Sequence, residues 1–290
     1  MPENDGKTLL DGKTMLPADG KEILYLSKNT DKRWGSFAAG SGVFTTRGSD
    51  FTTGAVTLGA DYRVADNFIL GAAVGYAHTC APLHAGGSFT VNSGLISLYA
   101  TAYNKGFYVD GIVGAGYHSY DTRRASTGGF ARGETDGASI HTYLGGGYDC
   151  HFGAFTIGAI ASLRYTNVAV DGFTEHGSLA RYRVTSGSLD ALQSAIGLKL
   201  AYTWNLGGVI VTPMVRAQWG HEYLDTRGTV NPRDPFTAQG TDIGRDSLLL
   251  HAGASVRFSP TVSVFGFYSG DIGRDKYTVH SVNGGVSISF

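Results

Sequence analysis

The chain has 290 residues, and its 23 Lys and Arg against 24 Asp and Glu leave a formal net charge of −1, so it has neither a basic surface for nucleic acid nor an acidic tail. Charged residues make up 16%, well below the roughly 25% of ordinary soluble domains, while glycine reaches 43 residues, tyrosine 16 and phenylalanine 15. Mean hydropathy is −0.06, and no stretch approaches the roughly 18 apolar residues that a membrane helix needs.

Residues 1–32 stand apart from the rest. The opening MPENDGKTLLDGKTMLPADG is polar and has no secretory signal peptide; a short apolar patch, Ile23-Leu24-Tyr25-Leu26, follows within Pro17–Arg33. From Arg33 the chain settles into one rhythm, in which runs of about ten to fourteen alternating residues are separated by turns. The runs are Arg33–Thr46, Phe51–Val64, Phe68–His78, Ser88–Tyr103, Phe107–Tyr120 and Ala138–Asp149. They continue as Phe155–Val168, Leu189–Trp204, Val209–Leu224, Ser247–Phe258, Val262–Gly270 and Tyr277–Phe290. An all-β domain over residues 33–290 with twelve antiparallel strands is expected.

Every second connection is tight: Ala65-Asp66-Asn67, Asn104-Lys105-Gly106, Cys150 to Ala154, Asn205 to Gly208 and Ser259-Pro260-Thr261. These are residues for which a left-handed or pre-set φ comes easily. After the third, fifth, seventh and ninth runs the connections read as long and polar, as in Asp121–Gly137, Ala169–Ser188 and Asp225–Asp246. A soluble β-sandwich, the competing reading of a chain rich in glycine and aromatics, has no reason to sort loop length by strand parity. A transmembrane β-barrel does, because its short turns share one rim and its long loops the other.

The alternation also assigns faces. The eighth run puts Leu192, Ser194, Ile196, Leu198, Leu200, Tyr202 and Trp204 on one side and Gln193, Ala195, Gly197, Lys199, Ala201 and Thr203 on the other. The apolar side is expected to face lipid and the other the lumen. The lumen-facing charges are then Asp61, Arg63, Asp110, Arg164, Lys199, Arg216, Glu222 and Arg257. Small residues on the same face (Gly59, Gly71, Gly75, Gly114, Gly116, Gly145, Gly147 and Gly253) suggest an unfilled interior wide enough for a pore or a plug.

Five segments add a resemblance. WGSFAAGSGVF on the first run, TGAVTLGADYRVADNFILGAAVGYAH over the next hairpin, MVRAQWGHEYLD on the ninth run, FTAQGTDIGRDSLLLHAGASVRF before and in the tenth, and VNGGVSISF at the end occur in order. From Trp34 to Phe290 the chain resembles the autotransporter β-domain, the C-terminal translocator of type V secretion. The resemblance implies a bacterial outer-membrane barrel that anchors and exports an N-terminal passenger. The implied partners are outer-membrane lipid, the β-barrel assembly machinery, periplasmic chaperones and the passenger itself, with no cofactor and no nucleic acid. It makes Phe290, with Ile288 and Val286, the assembly signal, and places a short α-helical linker in the lumen, here within Pro17–Arg33. Residues 1–32 are then linker, passenger remnant or an added segment, and a barrel bound for export without a signal peptide is expected to be part of something longer. That segment has no Asn-Asn pair of the kind at which some members cleave themselves.

Nine histidines invite a search for chemistry. His221 and Glu222 are adjacent on a strand and point to opposite faces, so they form no dyad; Glu222 is expected to pair in the lumen with Arg216 or Arg257. His118 and His141 fall on lumen faces of neighbouring strands, where a hydrogen-bonded polar lumen is favoured over a metal site. His84, His176 and His280 have no identifiable partner. A barrel enzyme would need residues such as Ser97, Ser162 and His78 to converge, and no motif singles them out; the chain is read as a non-enzyme with no metal ligands. A porin is the alternative, with Asp225–Asp246, including Pro232 and Pro235, folding inward. Cys80 and Cys150 are placed at opposite rims, about 25 Å apart across the apolar band, and are expected to be free thiols.

Overall fold

The computed structural model describes residues 32–47, 51–83, 86–224, 229–230, 238–239, 244–274 and 278–290. Its main sheet contains β1 (Trp34–Arg47), β2 (Thr52–Ala65), β3 (Phe68–Leu83), β4 (Gly87–Asn104), β5 (Phe107–Ser126) and β6 (Gly129–Phe152). It continues with β7 (Phe155–Val170), β8 (Gly187–Tyr202), β9 (Val209–Glu222), β10 (Asp246–Arg257), β11 (Val262–Ile272) and β12 (Thr278–Ser289). A short segment, Trp204–Leu206, carries β8 into its turn. Every strand pairs antiparallel with its neighbours in sequence, and β1 pairs with β12 over Gly35↔Ser289 to Arg47↔Thr278, so the wall closes. The seam is tied at its end by Trp34 N–H donating to Phe290 C=O at 3.1 Å and Phe290 N–H donating to Trp34 C=O at 2.9 Å. Closure leaves no open edge, which a sheet surrounded by hydrocarbon requires.

The short turns match the sequence reading. At Asn104-Lys105-Gly106, Lys105 and Gly106 both take positive φ, 47° and 93°, as a two-residue hairpin turn demands. The opposite rim differs. The expected loop Asp121–Gly137 is a continuation of β5 and β6, paired without a break to Ser126↔Gly129. β3 likewise runs to Leu83, opposite Gly87, where a long connection was expected. In β5 and β6 polarity on both faces marks where the strands leave the bilayer, while backbone pairing carries on into water; in β3 the extension keeps an apolar inner face, with Ala81 packed against Val43 and Phe51.

The connection between β7 and β8 folds onto the projecting β5–β6 hairpin. Asp171 N–H donates to Asp136 C=O at 2.9 Å, and Arg132 and His176 exchange backbone hydrogen bonds at 2.9 and 2.8 Å. Arg124 grips Glu175 with Nε at 3.2 Å and Nη2 at 2.7 Å, and lies over the Tyr182 ring. The Glu175 carboxylate raises the Arg124 guanidinium above its ordinary basicity. The linker helix expected within Pro17–Arg33, His84, and most of the Asp225–Asp246 loop lie outside the described residues.

Along β8 the outward Leu198 is 64% exposed and its neighbour Lys199 7%. The two faces therefore differ as lipid and lumen do. Exposed Phe290 (60%) and Ile288 lie on the outward parity of β12, in line with Val282 and Val286.

Candidate functional site: the barrel lumen

The lumen is lined by polar side chains that bond one another across strands. Lys199 Nζ lies 2.9 Å from Asp149 Oδ2 and 4.5 Å from the centre of the Tyr108 ring. The pair lies beside a cavity of about 320 Å³ at the short-turn end, lined also by Thr101, His151, Thr156 and Met214. Asp110 accepts a hydrogen bond from Thr101, and Asp61 accepts one from the Tyr99 hydroxyl at 3.0 Å. Arg164 sits 5.9 Å from the centre of the Tyr143 ring, and Arg216 is buried at mid-wall, opposite Lys199 in register. Arg63 and Arg257 lie on the inward parity of β2 and β10, near the short-turn rim.

Glu222 is 1% exposed and accepts the Leu192 N–H at 2.6 Å near the opposite rim. Arg257 is registered with Ile210, and at roughly 3.3 Å per residue it lies about 40 Å from Glu222 along the wall; Arg216 lies about 20 Å away. The expected pairing of Glu222 with either arginine is therefore excluded by distance, and a backbone amide takes its place. His221 points outward and bonds Asp246 at 2.8 Å, so the two neighbours share no chemistry.

His118 and His141 are both buried in the lumen wall. The His118 ring bonds Ser93 through Nδ1 and Ser139 through Nε2, each at 2.8 Å. His141 has no hydrogen-bond partner for either nitrogen among the described residues. Among those residues no group of three or more His, Cys, Asp or Glu could hold a metal ion. Ser97 and Ser162 face the lumen and His78 faces out, so that trio never converges. Both cysteines are free.

Most of the lumen glycines are covered by a neighbouring side chain instead of leaving open space as expected; at Gly75 alone of the eight a Cβ would meet only ordinary contacts. A Cβ at Gly59 would overlap the Phe37 ring, one at Gly71 the Tyr99 ring, and one at Gly253 the Phe267 ring. Gly145 and Gly147 are covered by Tyr143 and Tyr108, Gly114 by His141, and Gly116 by Ser139 and His118. Phe37, Tyr99, Ile112, Met214, Phe265 and Phe267 cluster in this way on the inside of the wall. Rings such as Phe37, Tyr99 and Phe267 occupy the space that a Cβ would need at the glycine beside them, so glycine is what lets them pack against the wall. Sequence alone cannot show this, because the ring and its glycine are on different strands or two residues apart.

A family model described as autotransporter beta-domain matches residues 33–269. The probable autotransporter YpjA of Escherichia coli is 28% identical over 257 residues, which is 83% of this chain and 16% of YpjA. The chain thus spans about a sixth of that curated relative's length. The translocator domain of the autotransporter NalP from Neisseria meningitidis superposes with a TM-score of 0.75 at 19% identity, covering 93% of both chains. The beta domain of the Bordetella autotransporter Brka gives a TM-score of 0.71 at 19% identity, over 89% of this chain and 99% of that one.

Proposed function

The chain belongs to the autotransporter β-domain family, and on that premise we propose that it anchors and exports a passenger lying N-terminal to residue 33. It is an outer-membrane translocator barrel of type V secretion. The observation that carries this reading is where the barrel begins: β1 starts at the short-turn rim, beside Phe290. A segment N-terminal to it must pass along the lumen to reach the long-strand rim. Residues 1–32 act as that linker, and 33–290 form the translocator.

The short-turn rim lies in the periplasm of the bacterial outer membrane, and the β5–β6 projection lies outside the cell. Phe290, Ile288 and Val286 are the strand read by the β-barrel assembly machinery, with periplasmic chaperones guarding the chain before insertion. Their outward, exposed setting supports this, since an inserting strand must be accessible. The lumen charges Asp61, Arg63, Asp110, Arg164, Lys199, Arg216, Glu222 and Arg257 hold the wall in register and keep its axis wet. Anchoring and export require no catalysis by the barrel.

The test is planar-bilayer conductance of the chain with and without residues 1–32. A resident linker predicts low conductance that rises severalfold on deletion. A large conductance unchanged by deletion would overturn the linker and favour a porin.

A further inference from the structure

On the outside of the wall, β3 and β4 bring together three side chains that neither anchoring nor export uses. His78 and Cys80 alternate on β3 and so leave the same outward face, and His78 is registered directly opposite Asn92 of β4. Cys80 Sγ lies 3.1 Å from His78 Nε2, and His78 Nδ1 lies 2.8 Å from Asn92 Oδ1. A carbonyl oxygen only accepts, so Nδ1 carries the ring proton and Nε2 presents its lone pair to the thiol. The Tyr76 hydroxyl donates to the same Asn92 oxygen at 2.8 Å and fixes the amide. Nucleophile, base and orienting group thus stand in the sequence of contacts that activates a catalytic thiol.

We propose that Cys80, His78 and Asn92 form an acyl-ester-cleaving site that takes membrane lipids from the outer leaflet. Depth supports this substrate class. Below the trio the outward residues are Val56, Leu58, Val74, Ile96 and Leu98, all exposed to hydrocarbon, and level with Cys80 the neighbouring strands turn polar at Thr52 and Thr90. The sulfur therefore lies at the interface, where the ester bonds of a lipid meet its acyl chains. Room is left for the substrate: beside His78, Gly54 and then Gly42 have no atom within 4 Å of where a side chain would begin. Thr52 and Thr90 flank Cys80 in register on both neighbouring strands and place hydroxyl donors beside the carbonyl under attack. Other hydrogen-bonded pairs described on this rim, such as Tyr268 with His280 and Tyr223 with Ser194, hold no thiol.

In the reaction His78 Nε2 takes the thiol proton as sulfur attacks the ester carbonyl. The tetrahedral intermediate collapses to a Cys80 thioester, and the lipid alcohol leaves with the proton from His78. Water, deprotonated by His78, then attacks the thioester and releases the fatty acid and the free thiol. Cys80 and His78 are the catalytic residues, and Asn92 is a positioning residue.

The test uses the full chain in phosphatidylethanolamine vesicles carrying a fluorogenic phospholipid ester, with a second arm containing lipopolysaccharide. Fatty-acid release is measured, and Cys80 is examined by mass spectrometry for a hydroxylamine-labile acyl adduct. Release in either arm, with the adduct, supports the proposal and identifies the lipid. Cys80→Ala should abolish release, His78→Ala should lower it on the order of 10²-fold or more, and Asn92→Ala should lower kcat while leaving KM unchanged. Heat-modifiable gel migration checks that the variants are folded, and alkylation of Cys80 by iodoacetamide should slow about tenfold in His78→Ala. Absence of both adduct and release from the wild type, release by Cys80→Ala at the wild-type rate, or equal alkylation rates would overturn it.

Discussion

The two rims of the barrel meet the membrane surface with different chemistry. At the short-turn rim, outward rings pack on rings: Trp34 on Tyr62 at 4.9 Å between centroids, Phe107 on Tyr148 at 4.4 Å and Phe155 on Tyr202 at 4.5 Å. At the long-strand rim, outward tyrosines reach across to a polar group on the next strand. Tyr76 bonds Asn92 at 2.8 Å, Tyr165 bonds Asp190 at 2.6 Å, Tyr223 bonds Ser194 at 2.9 Å and Tyr268 bonds His280 at 2.6 Å. A ring pair tolerates some slippage, whereas a hydrogen bond specifies its partner. The rim whose strands project into water is thus pinned in register by side chains, and the other by tight turns.

Neither device covers the charged pairs inside the wall or the lipid face at mid-bilayer, so substitutions there should cost most. Lys199→Met leaves the buried Asp149 carboxylate unpaired and is expected to cost about 3–5 kcal/mol by urea unfolding in vesicles, a penalty that Asp149→Asn should largely remove. The sequence alone would suggest a mild effect, since it does not show that partner. Leu198→Arg, one residue away on the lipid face, should cost about 2–4 kcal/mol, against about 0–1 for Leu206→Arg at the short-turn rim. Equal costs at both depths would break the contrast between belt and rim.

Smaller effects separate the rims themselves. Arg124→Ala removes the partly exposed cation that holds Glu175 and should release residues 171–186. The local loss is about 1.5–3 kcal/mol, read as faster proteolysis of that segment with an unchanged urea midpoint. Tyr165→Phe should have the smallest effect, a slight fall in the urea midpoint, because the pair is exposed and Asn167 also bonds Asp190. An Arg124→Ala variant that unfolds globally would show that the projection is part of the barrel's cooperative unit.

Much of this was legible in the sequence because a bilayer imposes period-2 alternation on every spanning strand. The twelve strands, the tight turns and the faces of β7 to β9 came from that pattern. The ends of β5 and β6 did not, because above the membrane both faces are polar and alternation fades while the backbone ladder continues through Asp121–Gly137; the end of β3 did not, because Pro82 reads as a break although Ala81, Pro82 and Leu83 stay paired with β4. Ending β3 at His78 also hid the face that it shares with Cys80. Cross-strand partners such as Asn92, Asp149 and Asp190 depend on register, which hydropathy does not specify. In the sequence the glycines read as open space because the rings that cover them come mostly from other strands.

The proposed route takes an N-terminal passenger along the lumen, from the rim at Trp34 to the rim of the β5–β6 projection. It is tested most directly by joining a signal peptide and an epitope ahead of Met1 and probing intact bacteria with protease and antibody. Export through the lumen leaves the epitope accessible from outside, together with residues 171–186. An epitope protected until the outer membrane is opened, while residues 171–186 are cleaved normally, would contradict it.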